Sequence, residues 1–123
     1  MIPHYVYIFA NRDQTKIPRR TKIGFSRTPM SRLKSFKPEK IVYRGFEDLY
    51  LYGIYIYKEG SERDARDLEF VAHKYFKKHQ CKERGFKGAT EIFDIQPEFV
   101  ERFLLQAGAR KLPPDDPMLR EGI

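Results

Sequence analysis

Residues 5–25 read YVYIFANRDQTKIPRRTKIGF. Two short runs rich in aromatic and β-branched residues, Tyr5 to Phe9 and Thr21 to Phe25, flank a polar stretch, Asn11 to Arg20. That stretch carries Asp13, Pro18, Arg19 and Arg20. Runs of the first kind fit a pleated, half-buried surface, whereas proline and charge between them favour a connection. An antiparallel hairpin with a long basic loop is expected, and the rest of the chain has to pack on it.

Working outward, Thr28-Pro29 places a hydroxyl cap before proline at a first helical position. This predicts a short helix from about Pro29 to Phe36 that buries Leu33 and Phe36 and stops before Pro38. Residues Ile41 to Phe46 fit either loop or short strand. Tyr50 to Tyr57 reads as a third strand, closed by a turn at Lys58-Glu59-Gly60. Ser61 and Asp64 form a capping-box pattern ahead of a long helix. On that helix Leu68, Val71, Ala72, Tyr75 and Phe76 recur at helical spacing as a buried stripe, fading near His79. Gln80 to Thr90 reads as loop and Glu91 to Ile95 as a short extended piece. Pro97 opens a last helix that uses Val100, Phe103, Leu104 and Ala107 and ends at Gly108. The order β-β-α-β-α-(β)-α is an α+β fold: a small, mainly three-stranded antiparallel sheet flanked by helices. Residues 1–107 form the expected domain, and 108–123, proline-rich and charged, an expected flexible tail.

Composition narrows the class. The chain has 123 residues, of which 41% are hydrophobic and 15% aromatic, enough for the core of one compact domain. A charged fraction of 33% and a mean hydropathy of −0.66 describe a soluble protein. No apolar stretch approaches the roughly 20 residues of a membrane span, and the N-terminal MIPHYVYIF reads as a strand rather than a signal peptide. A cytoplasmic location is expected. Cys81 is the single cysteine and the three histidines form no HExxH pair, which leaves no internal disulfide and argues against a structural zinc site. The net charge of +7 and pI near 9.5 favour a polyanionic partner, nucleic acid being the commonest.

Tyr5-Val6-Tyr7 precedes Lys22-Ile23-Gly24, then Ser26, Pro29 and Arg32; later come Asp64-Ala65, Leu68-Glu69, His73 and Glu91-Ile92-Phe93. In this order the set resembles the GIY-YIG nucleases, in particular a short phage-associated branch with the pattern KIG-x-S-xx-P-xx-R, an A-xx-LE-xxx-H helix and an E-x-F strand. The resemblance covers about Tyr5 to Leu105. Tyr5 stands where the first motif has glycine, and Lys22 where the second has tyrosine. The literal string Gly53-Ile54-Tyr55 has no partner motif downstream and is read as the third strand.

The resemblance implies a metal-dependent endonuclease that hydrolyses phosphodiester bonds, DNA favoured over RNA, through one Mg²⁺ or Mn²⁺ ion held by Glu69. Such chemistry needs an activated water, a cation on the phosphate oxygens and help for the leaving oxygen. A hard ion is commonly held by one or two carboxylates plus water and phosphate oxygens. Glu69 follows the buried Leu68 at the edge of the apolar stripe, where it either reaches a cleft or is solvated. His73, four residues on, shares its face; it either bonds the glutamate, a water or a phosphate, or packs at the helix edge. Arg32 can grip a phosphate with two parallel bonds. Tyr7 is the candidate to orient or deprotonate the water, with Lys22 on the paired strand supplying charge or binding the phosphate itself; the alternative is an aromatic pair and a solvated lysine on a sheet face. Tyr5 shares Tyr7's parity and is expected at the same cleft. Glu91 holds a basic residue or assists there, and Phe93 belongs to the core.

Arg19, Arg20, Lys34, Lys37, Lys82, Arg84 and Lys87 are candidate backbone contacts for nucleic acid, with Phe86 a candidate base contact, and Ser26 either turns the chain or touches a phosphate, the turn coming first. A single site cuts one strand, so a monomer or transient homodimer is expected, with specificity left to loops or a protein partner. Two other readings stay open: a catalytically inactive nucleic-acid-binding module on the same fold, and a protein-interaction domain such as a phage inhibitor of a host protein.

Overall fold

A computed structural model describes residues 2–11, 20–35, 49–81, 91–113 and 115–116. Strand β1 (Tyr5–Asn11) pairs antiparallel with β2 (Thr21–Ser26), as the hairpin reading requires. Helix α1 (Pro29–Ser35) follows, then β3 (Leu49–Ile56), α2 (Glu62–Tyr75), a 3-10 turn at Lys77–His79, β4 (Ile92–Phe93), α3 (Pro97–Gln106) and β5 (Arg110–Leu112). The sheet has five strands in the order β4-β2-β1-β3-β5, every pair antiparallel, and not the three expected. Of the two additional strands, β4 falls within the short extended piece expected at Glu91 to Ile95, and β5, with three residues, is too short for alternation to betray it. Arg110–Leu112, expected in the flexible tail, is the edge strand on β3.

All seven residues of β1 are buried, which suits the central strand of a sheet covered on both faces. One face of the hairpin presents Val6, Ile8 and Ile23 to Ala65, Leu68, Ala72 and Phe76 of α2 and to Val100 and Leu104 of α3. The opposite parity carries Tyr5, which packs with Ile54, Ile56 and Leu112. Ser61 caps α2 as expected: its Oγ accepts from the Asp64 N–H at 3.0 Å, and the Asp64 carboxylate accepts from the Ser61 N–H. The buried stripe differs in phase from the reading. Ala65, Leu68, Ala72 and Phe76 face the sheet, whereas Val71 and Tyr75, one residue earlier in each turn, face outward. On α3, likewise, Val100 and Leu104 are buried but Ala107 is exposed. That helix ends at Gly108, whose φ of 105° closes a Schellman turn, with Ala109 N–H bonded to Leu104 O and Gly108 N–H to Leu105 O. The turn aims the chain back along β3, and this is what brings β5 onto the sheet.

A bulge opens between Ile8 and Phe9: Gly53 faces Ile8 and Leu51 faces Phe9, so Tyr52 is the extra residue. Residues three apart on a regular strand point to opposite faces, and one inserted residue lets Tyr52 and Tyr55 share a face. Both hydroxyls donate to Glu101 on α3, at 3.2 and 3.0 Å. No described helix is long and apolar enough to cross a membrane.

Candidate active site

The outer edge of β2 is covered by strand for only two residues, Lys22 opposite Ile92 and Thr21 opposite Phe93. Beyond Lys22, side chains from α2 take over as partners of the β2 backbone. His73 Nε2 lies 2.8 Å from Ile23 O, and the Glu69 carboxylate accepts from the Phe25 N–H. A carbonyl oxygen only accepts, so Nε2 carries the proton in that bond and Nδ1 is left with the lone pair in the neutral ring. The four-residue spacing on α2 is what lets the two side chains serve two outward backbone groups of one strand.

Charge gathers at this edge. Lys22 is fully buried, and its ammonium donates to the Glu91 carboxylate. A buried ammonium is tolerated only with such an anion beside it. Its Nζ also sits 5.5 Å from the centre of the Tyr7 ring. Burial, helped by the neighbouring Glu91 charge, pushes the Glu69 carboxyl up to about 7, against the opposing pull of Lys22, the Phe25 N–H and Arg66. Burial also lowers the pKa of His73, outweighing its bond to Ile23 O and the Glu91 charge, so the ring is neutral at pH 7. Its contact with Glu69 Oε1, at 4.0 Å, is therefore not an ion pair. Glu69 Oε2 is buried and has no hydrogen-bond partner among the described residues.

Tyr7 lies directly opposite Gly24 in the hairpin. A Cβ at Gly24 would fall 2.3 Å from the Tyr7 hydroxyl oxygen, so the missing side chain is what lets the phenol lie across β2. Phe9 stacks on the Tyr7 ring, with centroids 4.3 Å apart. Tyr7, Lys22 and Gly24 thus form one packed unit, joined through Lys22 to Glu91 and, electrostatically, to Glu69 and His73.

The family model for the T5orf172 domain matches residues 4–107. The chain belongs to that family. The T5orf172 stretch starts just ahead of β1 and ends at the cap of α3, so every group named above lies inside it, and β5 lies beyond it. A protein of Escherichia phage T5 described as "Putative endonuclease" is 36% identical over 88 residues. The aligned region is 72% of this chain but only 30% of the phage protein. No solved structure matches the chain.

Within the T5orf172 domain the structure brings together Tyr7, Lys22, Glu69 and His73. It adds Glu91, to which the sequence reading gave a minor place and which proves to be the partner of Lys22. Arg32 is half-buried on α1, a helix that packs on β1, β2 and β3. Of the candidate nucleic-acid contacts, four lie among the described residues, and Ser26 takes the turn role that comes first in its reading. Tyr5 shares Tyr7's parity and, like Tyr7, is buried, but it packs in the second core cluster with Ile54, Ile56 and Leu112 and not beside Lys22. The Ser26 Oγ accepts from the Thr28 N–H at 2.9 Å, turning the chain into α1. Arg20 is nearly buried and pairs with Asp94 at 3.2 Å. Lys34 is exposed on the last turn of α1. Arg19, Lys37, Lys82, Arg84, Phe86 and Lys87 lie outside the described residues. The reading that Glu91 holds a basic residue is met by Lys22; which basic residue it is was not legible, because the contact spans 69 residues. The available signal was positional: Glu91 adjoins Ile92, the strand partner of Lys22.

Proposed function

We propose that this chain is a metal-dependent endonuclease of GIY-YIG type that hydrolyses phosphodiester bonds in nucleic acid, DNA ahead of RNA. The observation that carries the reading is the unpartnered, buried Oε2 of Glu69 beside the Lys22–Glu91 pair. Leaving a buried carboxylate oxygen without a donor costs on the order of 1–3 kcal/mol, and a cation at that oxygen would remove the cost. Among the described residues no three His, Cys, Asp or Glu side chains cluster as a ligand set. The donor chemistry therefore fits a hard ion such as Mg²⁺ or Mn²⁺ that takes one carboxylate from the protein and the rest of its shell from water and phosphate. When bound, such an ion supplies charge stabilisation on the phosphate and lowers the pKa of water.

In this reading the chain's own groups divide the work. Glu69 holds the ion, and its geometry is set by the Phe25 N–H. His73, pinned by Ile23 O, walls the site with a neutral ring. The Tyr7 hydroxyl orients the attacking water through a hydrogen bond. Lys22 provides fixed positive charge beside Tyr7, and Glu91 keeps that ammonium in place. Arg32 grips a non-bridging phosphate oxygen pair. One such centre cuts one strand, so the expected product from a supercoiled plasmid is the nicked circle. The name of the phage T5 relative and the chain's net charge of +7 support a nucleic-acid substrate and action in the cytoplasm where it lies. The test compares plasmid DNA and a structured RNA, with Mg²⁺ or Mn²⁺ and with EDTA, for the wild type and Glu69→Ala. Equal, EDTA-insensitive cutting by both proteins would remove the assignment.

One observation favours a second reading, a binding module without catalysis. Lys22, standing where the resembled motif has tyrosine, is sealed from solvent and neutralised by Glu91. Salt-sensitive binding with no cleavage in any of those metals would select it.

A further inference from the structure

Away from the Glu69 edge, the C-terminal end of α2, the 3-10 turn that follows it and the outer face of α3 enclose a groove of about 500 Å³. Its walls hold four aromatic rings, Tyr75, Phe76, Phe99 and Phe103, together with Lys78 and Arg102. Among the described residues no carboxylate lines it. Tyr75 is 66% exposed although its inner face stacks on Phe103, centroids 4.5 Å apart, so its outer face is open to solvent. Phe99 is 48% exposed, with the Arg102 guanidinium 5.8 Å from its ring centre. Helix packing alone does not require either ring to face water. Two open aromatic faces flanked by cations, without an opposing acid, are complementary to a ligand that alternates flat rings with negative charge.

The geometry points to a binding site for a single strand of nucleic acid in this groove, with bases stacked on Tyr75 and Phe99 and phosphates met by Lys78 and Arg102. The inference rests on the reading that the chain acts on nucleic acid, but not on its being a hydrolase. Tyr75 is six residues beyond Glu69 on α2, about 9 Å along the helix axis. A strand held there is a few nucleotides from the edge of β2, so the groove would hold an unpaired flank of the substrate.

The test is fluorescence anisotropy with a fluorescein-labelled 15-nucleotide oligothymidine in EDTA, which separates binding from any cleavage. The wild type should bind with an affinity that falls as salt rises. Tyr75→Ala combined with Phe99→Ala should weaken binding about ten-fold or more. Tyr75→Leu with Phe99→Leu, which keeps apolar volume but has no π face, should weaken it similarly while circular dichroism stays that of the wild type. Lys78→Gln with Arg102→Gln should flatten the salt slope by about 1.4, the value for two phosphate contacts on a single strand. A wild type that does not bind, or a leucine variant that binds as tightly as the wild type, overturns the proposal. A protein that holds the strand through these rings yet cleaves nothing leaves the groove standing and removes the nuclease reading. A protein that cleaves while the leucine variant binds unchanged does the reverse.

Discussion

The fold contains two clusters built from the same parts, a tyrosine laid over a glycine with a lysine and a glutamate beside it. In the first, Tyr7 lies over Gly24, with Lys22, Glu91 and Glu69 at the β2 edge. In the second, Tyr55 lies over Gly53, where a Cβ would fall 2.3 Å from its hydroxyl oxygen, with Lys111 and Glu101 alongside. The second is saturated: Glu101 accepts from Tyr52, Tyr55 and, at 2.6 Å, Lys111. Burial pushes the Glu101 carboxyl up, but these donors together outweigh it and hold it below the ordinary range. The first is unsaturated, with Glu69 Oε2 lacking a donor among the described residues and the carboxyl pushed up to about 7. Similar residue types therefore serve opposite ends. Where every acceptor has a donor the cluster ties β3, α3 and β5 together; where one is left over, a ligand has something to bind.

The contrast is broken most directly by exchanging each glutamate for glutamine. Glu69→Gln keeps an acceptor for the Phe25 N–H and removes the charge. Metal-dependent cleavage should fall by roughly a thousand-fold or more, with the denaturation midpoint unchanged or raised. Glu101→Gln should leave cleavage within about two-fold and lower stability by about 2 kcal/mol, because it weakens a charge-assisted bond and disturbs two more. Urea unfolding of both variants, at constant m, separates the two effects. If Glu69→Gln unfolds the protein and Glu101→Gln silences it, the assignment of roles is reversed.

Glu91→Gln comes next in size. It leaves the Lys22 ammonium buried without its anion, which should cost about 3 kcal/mol. Lys22→Met in the same background should recover most of that stability without recovering cleavage. A Glu91→Gln protein as stable as the wild type would mean that the Lys22–Glu91 pair is not what holds the β2 edge.

How much of this was legible in the sequence depends on the range of the interaction. The hairpin, the Ser61 capping box and the Gly108 stop were visible because each is written in neighbouring residues. Glu69 and His73 were visible as a helical pair, but not their task of completing the edge of β2, since that follows from β4 being only two residues long. β5 was hidden because two of its three residues are exposed, and what holds it is a turn at Gly108 and Lys111 reaching Glu101. Tyr75 was assigned to the core because the positions three and four residues along a helix flank one stripe. Only the sheet beneath decides that Ala72 and Phe76 turn inward and Tyr75 outward.

The two glycines make a finer comparison. Each sits beneath a buried phenol that cannot swing away cheaply, so alanine at either should displace a ring and cost about 1–3 kcal/mol. Stability should not distinguish Gly24→Ala from Gly53→Ala. Cleavage should: the first moves Tyr7 against Lys22 and lowers the rate about ten-fold or more, and the second moves only Tyr55. Equal activity in both variants would take Tyr7 out of the site.

The two carboxylates also have opposite signs in the dependence of stability on pH in metal-free protein. Glu101 has a folded pKa below its unfolded value of about 4.3. Its contribution is present above that value and is lost as pH falls through the lower folded one. Glu69 has a folded pKa of about 7, above its unfolded value. The folded state therefore holds an extra proton between about pH 4.5 and 7, and stability drains away as pH rises through that window. Urea midpoints in EDTA should accordingly decline from pH 5 to 7.5, and the decline should be flatter in Glu69→Gln than in Glu101→Gln. If Glu69 holds Mg²⁺ as proposed, the ion would compete with that proton for the same oxygens, and adding it should lift the wild-type midpoint more at pH 7.5 than at pH 5. A midpoint that Mg²⁺ leaves unmoved at every pH would make the unsatisfied oxygen of Glu69 a feature of packing, and the two clusters would then differ in completeness but not in purpose.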